Sequence, residues 1–139
     1  GGIATSGWKG RSHSSGVADS VTVLATTAAA ADVAATLIAN AGWPYDDNVT
    51  DWPGVPRHPA NALAPDSDLG LRLVTVHVDR LPDQVITKAL RRGYSVAEDM
   101  RQSGHIFAAY GVVQGQGFVC DAMTQRTVGS GAVFLDETA

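Results

Sequence analysis

The stretch that most restricts how this chain folds is residues 19–42. It opens as Asp19-Ser20-Val21-Thr22-Val23-Leu24-Ala25 and runs into an alanine-dominated segment, Ala28 to Ala41, interrupted by Asp32 and Thr36. β-Branched residues in sequence favour an extended strand. Alanine favours helix, and its small side chain allows close packing on a sheet. A strand is therefore expected over Val17–Ala25, apolar on both faces and so buried on both sides. A helix from Ala28 to Asn40 follows, with Thr26 or Thr27 as N-cap and a stop at Asn40-Ala41-Gly42. Asp32 and Thr36 are four residues apart and share one helix face. Two hard oxygens there suit a hard cation such as Mg²⁺. They equally suit a carboxylate favoured by the helix dipole and a hydroxyl returned to the backbone.

The rest of the chain continues the alternation. Residues 1–16 are rich in Gly and Ser and read as turn and loop around a short strand at Ile3–Thr5. Gly42 to Gly70 is an irregular segment, a long loop over 43–70 with Pro44, Pro53, Pro56, Pro59 and Pro65 and with Trp43 and Trp52. It is either a functional loop or a surface wrap pinned by its tryptophans. Leu71–Val78 reads as a strand. Pro82 then suits the first turn of a helix over Asp83–Gln102 that Gly93 breaks or bends. Ile106–Val113 and Phe118–Ala122 read as strands joined by a turn at Gln114-Gly115-Gln116-Gly117, with a last short strand over Val128–Leu135. The order β-α-β-α-β-β predicts an α+β layer fold, helices on one face of a mixed or antiparallel sheet.

Composition narrows the function classes. The chain has 139 residues and a net charge of −4, enough for one domain that buries about two-thirds of its unfolded surface. Without a basic stripe, nucleic-acid binding is not expected. No apolar run reaches spanning length, so no membrane partner is expected either. The single cysteine, Cys120, excludes an internal disulfide and, beside Phe118 and Val119, reads as a buried inert thiol. No signal peptide is visible, and a cytoplasmic setting is expected.

Several polar groups are candidates for chemistry. Thr5, Ser6 and Gly7 form a Gly-flanked turn that presents backbone N–H groups to a phosphate or carboxylate, or else a plain tight turn. Thr5 or Ser6 as a nucleophile needs a base, and His13 is near in sequence. Asp19 is a residue of interest or a turn-former. His58, His77 and His105 lack metal-ligand spacing, and local hydrogen bonding accounts for His77 and His105. Asp66, Ser67, Asp68 and Gly70 lack the downstream glutamate of a calcium loop. Arg91 and Arg92 read as a solvated helix face.

The ordered set Ala4-Thr5-Ser6-Gly7, Ser20-Val21-Thr22-Val23 and Ala31-Asp32-Val33-Ala34-Ala35-Thr36 resembles the C-terminal half of the ApbE family, the FAD:protein FMN transferases. Gly10-Arg11-Ser12 and Gly16-Val17-Ala18-Asp19 bring the resemblance nearest to a poorly characterised ApbE-like branch. It is good over 1–42, weaker over 66–115, and absent after Gly115. It implies a T-fold-like half, with an N-terminal half or a second chain completing the fold. It implies Mg²⁺ held by Asp32 and Thr36 and FAD or FMN as cofactor. In that family a His precedes an Asp-Pro-x-Thr-Gly stretch. Here His13 leads instead to Ser14-Ser15-Gly16-Val17-Ala18-Asp19. Three functions follow. One is an enzyme on a nucleotide-like, phosphorylated or carboxylated small molecule, at its extreme Mg²⁺-dependent FMN transfer, with the Thr5–Gly7 turn on the anion and His13 moving a proton. The second is a hydrolase of the same fold using Thr5 or Ser6 with His13. The third is a non-catalytic binding module completed by a partner.

Overall fold

A computed structural model describes residues 1–9, 14–46, 49, 52–63 and 70–123, and the backbone of 133–136. Strands β1 (Gly2–Ser6) and β2 (Ser20–Ala25) lead into helix α1 (Ala28–Ala41). Short elements follow: β3 (Arg57–Pro59), α2 (Ala60–Leu63) and β4 (Leu73–Thr75). Helix α3 (Asp83–Gln102) then precedes β5 (Ala108–Val113), β6 (Gln116–Cys120) and β7 (Val133–Asp136). The fold is α+β. Its main sheet has the order β1-β2-β5-β6-β7 with every pairing antiparallel, which resolves the choice between a mixed and an antiparallel sheet.

Strand alternation divides the sheet into two unlike faces. Val21, Val23 and Ala25 of β2, Ala109 and Val113 of β5, and Phe118 and Cys120 of β6 point into the core. There they meet Ala31, Ala34, Ala35, Ile38 and Ala39 of α1 and Ile86, Ala89, Leu90 and Ala97 of α3. The alanines let α1 lie close over β1 and β2, while α3 covers β5 and β6. The opposite face carries Ile3, Thr5, Thr22, Leu24 and Tyr110, exposed or half-buried. The strand expected to be buried on both sides is thus covered on one. It also begins at Ser20 rather than Val17: before it the backbone bonds outside the regular ladder, Trp8 N to Ala18 O at 3.1 Å and Asp19 N to Val112 O at 2.8 Å, and Gly16 lies against the end of α1, where a Cβ would stand 2.0 Å from the Ala39 carbonyl oxygen.

Helices α1 and α3 match their expected limits to within a residue, with Thr27 Oγ1 accepting from Ala30 N at 3.0 Å as the N-cap of α1. Gly93 does not break α3. Its missing side chain gives the Phe118 ring room, since a Cβ there would stand 3.4 Å from that ring. The β5–β6 turn is the two-residue Gln114-Gly115, both at positive φ (46° and 84°), rather than a turn over 114–117. Such a turn matches the twist of a hairpin.

The expected strand over Leu71–Val78 shortens to β4, which pairs only with β3. Prolines explain the shortening: Pro53, Pro56 and Pro59 offer no N–H to a longer ladder. What remains is sporadic, Val76 N to Pro56 O at 3.1 Å and Asp79 N to Gly54 O at 2.7 Å. The loop expected over 43–70 therefore contains β3 and α2, and it is pinned in place. Arg57 lies over the Trp43 ring at 3.7 Å and donates to Ser15 O and Val49 O. Arg92 donates to Trp43 O and Tyr45 O, both at 2.6 Å, so it is a clamp rather than a solvated charge. Of the last expected strand, 128–135, the described part is β7; residues 124–132 lie outside the described residues, as do Asp66, Ser67 and Asp68.

Candidate functional site

Helix α1 buries Ala31, Ala34, Ala35, Ile38 and Ala39 and so turns Asp32, Val33, Thr36 and Leu37 away from the sheet. Asp32 and Thr36 do share a face. The Thr36 hydroxyl donates to the Asp32 carbonyl oxygen at 3.0 Å, the backbone return open to a helical threonine. Its oxygen keeps acceptor capacity. The Asp32 carboxylate is exposed and has no hydrogen-bond or ion-pair partner among the described residues. Around it the surface is apolar: Val33 is 60% and Leu37 47% exposed. A groove of 590 Å³ runs alongside, lined by Ala29, Ala30, Val33, Ala34, Leu37, Met100 and His105.

This donor set can be tested against Mg²⁺. The ion prefers six oxygens and commonly takes one or two from protein, the rest from water and substrate phosphate. One unpaired carboxylate with a threonine oxygen four residues on fits that sharing. It does not make a protein cage, and no cluster of three or more His, Cys, Asp or Glu side chains suited to a metal occurs among the described residues.

The residues expected as an anion-binding turn are placed differently. Thr5 and Ser6 belong to β1, paired with Thr22 and Val21, so the turn starts only at Gly7. Their side chains alternate across the sheet. Thr5 Oγ1 meets Thr22 Oγ1 at 3.0 Å on the face opposite α1. Ser6 points inward, buried, and its hydroxyl has no partner among the described residues. Neither has a base as its hydrogen-bond partner there, and His13, with Gly10, Arg11 and Ser12, lies outside the described residues. Gly7 is required where it stands, since a Cβ would come within 2.2 Å of the Asp19 carbonyl oxygen.

Asp19 ties this end of the sheet together. Its Oδ1 accepts from Trp8 Nε1 at 3.1 Å and its Oδ2 from Gln114 N at 2.9 Å, with Lys9 Nζ 3.7 Å away. It joins the exit of β1, the start of β2 and the β5–β6 turn. A lone Asp before a strand gives no hint of partners 95 residues apart in the chain, such as Gln114. Sequence reasoning also missed Asp79 as the partner of His77 and Glu98 as a buried carboxylate. The His77-Val78-Asp79 spacing, which puts both side chains on one side of an extended segment, was the available signal for the first.

A protein-family model described as AbpE bacteria matches residues 1–119, and the chain belongs to that family. No curated protein matches the chain, and no solved structure matches it.

Proposed function

We propose that the chain is an ApbE-type enzyme domain. Its α1 face takes a phosphorylated, nucleotide-like ligand through Mg²⁺, with FAD the first candidate and FMN transfer the corresponding reaction. The observation that carries this reading is the unpaired Asp32 carboxylate, set beside the Thr36 oxygen in the middle of an exposed apolar helix face. Membership of the AbpE bacteria family supports it. Asp32 would supply the charge-bearing ligand and Thr36 a neutral one, while Val33 and Leu37 line the adjoining groove for an apolar ring. Bound Mg²⁺ would neutralise phosphate charge and polarise phosphoryl oxygens. With two oxygens from the described residues, water, the ligand's phosphates and any oxygens of a second half or partner chain on this face would complete the coordination.

The test is thermal melting with Mg²⁺, with FAD, and with both. A ligand that binds only the folded state raises the melting temperature by mass action. A rise confined to Mg²⁺ plus FAD, and lost in Asp32→Ala and Thr36→Val, is expected. An identical rise in Asp32→Ala would end the proposal.

A further inference from the structure

A second cleft lies at the hairpin end of the molecule, away from the outer face of α1, and does not depend on the reading above. It has a volume of 560 Å³ and is lined by Trp52, Pro53, Gly54, Pro56, His77 and Asp79. Two of its walls are unusual for a surface. Trp52 is 47% exposed yet held in one orientation, stacked on Tyr45 at 4.6 Å and 15°. In the same lining, His77 Nε2 and Asp79 Oδ1 are 2.6 Å apart, both side chains exposed.

The support beneath these groups is more elaborate than a surface ion pair needs. Asp79 is fixed from both sides, its N donating to Gly54 O at 2.7 Å and its O accepting from Gln114 Nε2 at 2.8 Å. Gly54 stands at φ +83°, and a Cβ there would come within 2.9 Å of Asp79 Oδ2, so only glycine leaves the carboxylate in place. His77 meets the edge of Trp8, which Asp19 anchors. An exposed His–Asp pair contributes little to stability, and an exposed tryptophan forgoes hydrophobic burial. Preorganised polar groups beside a fixed aromatic platform are what a binding site requires.

From this geometry we infer that the cleft binds an uncharged ring carrying vicinal hydroxyls, its face on Trp52 and its diol on Asp79 and His77. Trp52 with Pro53 and Pro56 presents a flat apolar wall, which suits a ring face. The Asp79 carboxylate accepts hydroxyl protons, and the imidazole supplies a donor or acceptor beside it. Among the described residues no Lys or Arg lines the cleft, so an anionic group would meet Asp79 there without compensation. A saccharide unit and the ribose of a nucleoside share this chemistry.

Saturation-transfer NMR on the intact chain separates the two, with maltotriose, cellotriose, adenosine and 2′,3′-dideoxyadenosine as probes. Transfer to saccharide ring protons, or to adenosine but not its dideoxy analogue, supports the inference and identifies the source. Affinity for the responding probe should fall about tenfold in Asp79→Asn, which removes a charge-assisted hydrogen bond while keeping the side-chain size. Trp52→Ala should abolish transfer, and Trp52→Phe should retain part of it if the alanine variant does not fold. No transfer to any probe, equal transfer to adenosine and its dideoxy analogue alone, or transfer undiminished in Asp79→Asn overturns the inference.

Discussion

Glu98 is the residue in this chain most in need of explanation, because an ionised carboxylate is costly to bury without partners. It projects from α3 toward β6 and is 9% exposed. Its partners are complete: Arg101 Nε at 3.0 Å and Nη2 at 2.6 Å, Gln102 Nε2 at 2.9 Å and the Cys120 thiol at 3.2 Å. The Arg101 hydrogen bonds, with help from Gln102 and Cys120, outweigh burial and hold the carboxyl at about 2 against an ordinary 4.5. The folded state therefore resists protonation more than the unfolded chain does. The associated stability is fully present above pH 4.5 and is lost as pH falls toward about 2. Urea melts at stepped pH should show an acid loss across that window, flattened in Glu98→Gln, which should also cost on the order of 2–3 kcal/mol at pH 7. An unchanged acid limb in that variant would assign the loss to other groups. The same contact governs Cys120. Burial first, then the adjacent carboxylate, pushes its thiol up to about 12, so it stays protonated and unreactive at neutral pH. A disulfide reagent such as DTNB at pH 8 should modify it only in denaturant, bearing out its reading as an inert core thiol.

Among the elements, α3 and the β5–β6 hairpin depend on one aromatic ring fitting between two glycines. A Cβ at Gly111 would stand 2.2 Å from Phe118 Cε2, far inside contact distance, and one at Gly93 would stand 3.4 Å from the same atom. The ring thus occupies the space that side chains at those positions would fill, and α3 sits close to the sheet as a result. Gly111→Ala should destabilise by about 1–3 kcal/mol through overpacking. The loss should shrink in a Phe118→Leu background, because the two changes act on one space. Chemical denaturation of the two single variants and the double variant measures this; strictly additive losses would place the strain elsewhere. Neither glycine was legible as a packing device. In the sequence Gly93 reads as a helix breaker, because which residue faces it is settled by the pairing of β5 with β6 and the crossing of α3, not by its neighbours. What was legible is local. The limits of α1 follow from its alanines and Thr27, those of α3 from its apolar stripe, and the existence of the β5–β6 hairpin from the Gln114-Gly115-Gln116-Gly117 run, though not its two-residue turn. Asp32 and Thr36 sharing a face follows from helical spacing alone. The partners of Asp19 were not legible, since Trp8 and Gln114 reach it only where distant segments meet, whereas the His77–Asp79 contact lies within the reach of local spacing.

At the scale of the whole molecule, two layers of unlike construction share one frame. The sheet with α1 and α3 is held by a continuous core of Val, Ile, Leu, Phe and Ala. In the segment from Trp43 to Leu81 the described residues form only the short β3, α2 and β4; Trp43, Val55, Val78 and Leu81 join the same core, and polar contacts tie the rest. Arg92 donates to Trp43 O and Tyr45 O, Arg57 covers Trp43, and Thr75 N donates to Ser14 O at 2.7 Å. Hydrogen bonds from a charged donor are each worth about 1.5–3 kcal/mol, so removing Arg92 should loosen this segment without unfolding the core. Native-state hydrogen exchange tests the division. In Arg92→Ala the amides of Val55, Thr75 and Asp79 should exchange about 10–100-fold faster. Those of Val21, Val23 and Ala109, paired within the main sheet, should hold their protection. Equal acceleration at both sets would mean that the segment and the sheet open as one unit. Because Trp52, His77 and Asp79 all belong to the loosened segment, that variant should weaken the hairpin-end cleft while leaving Asp32 and Thr36, carried on α1, in place.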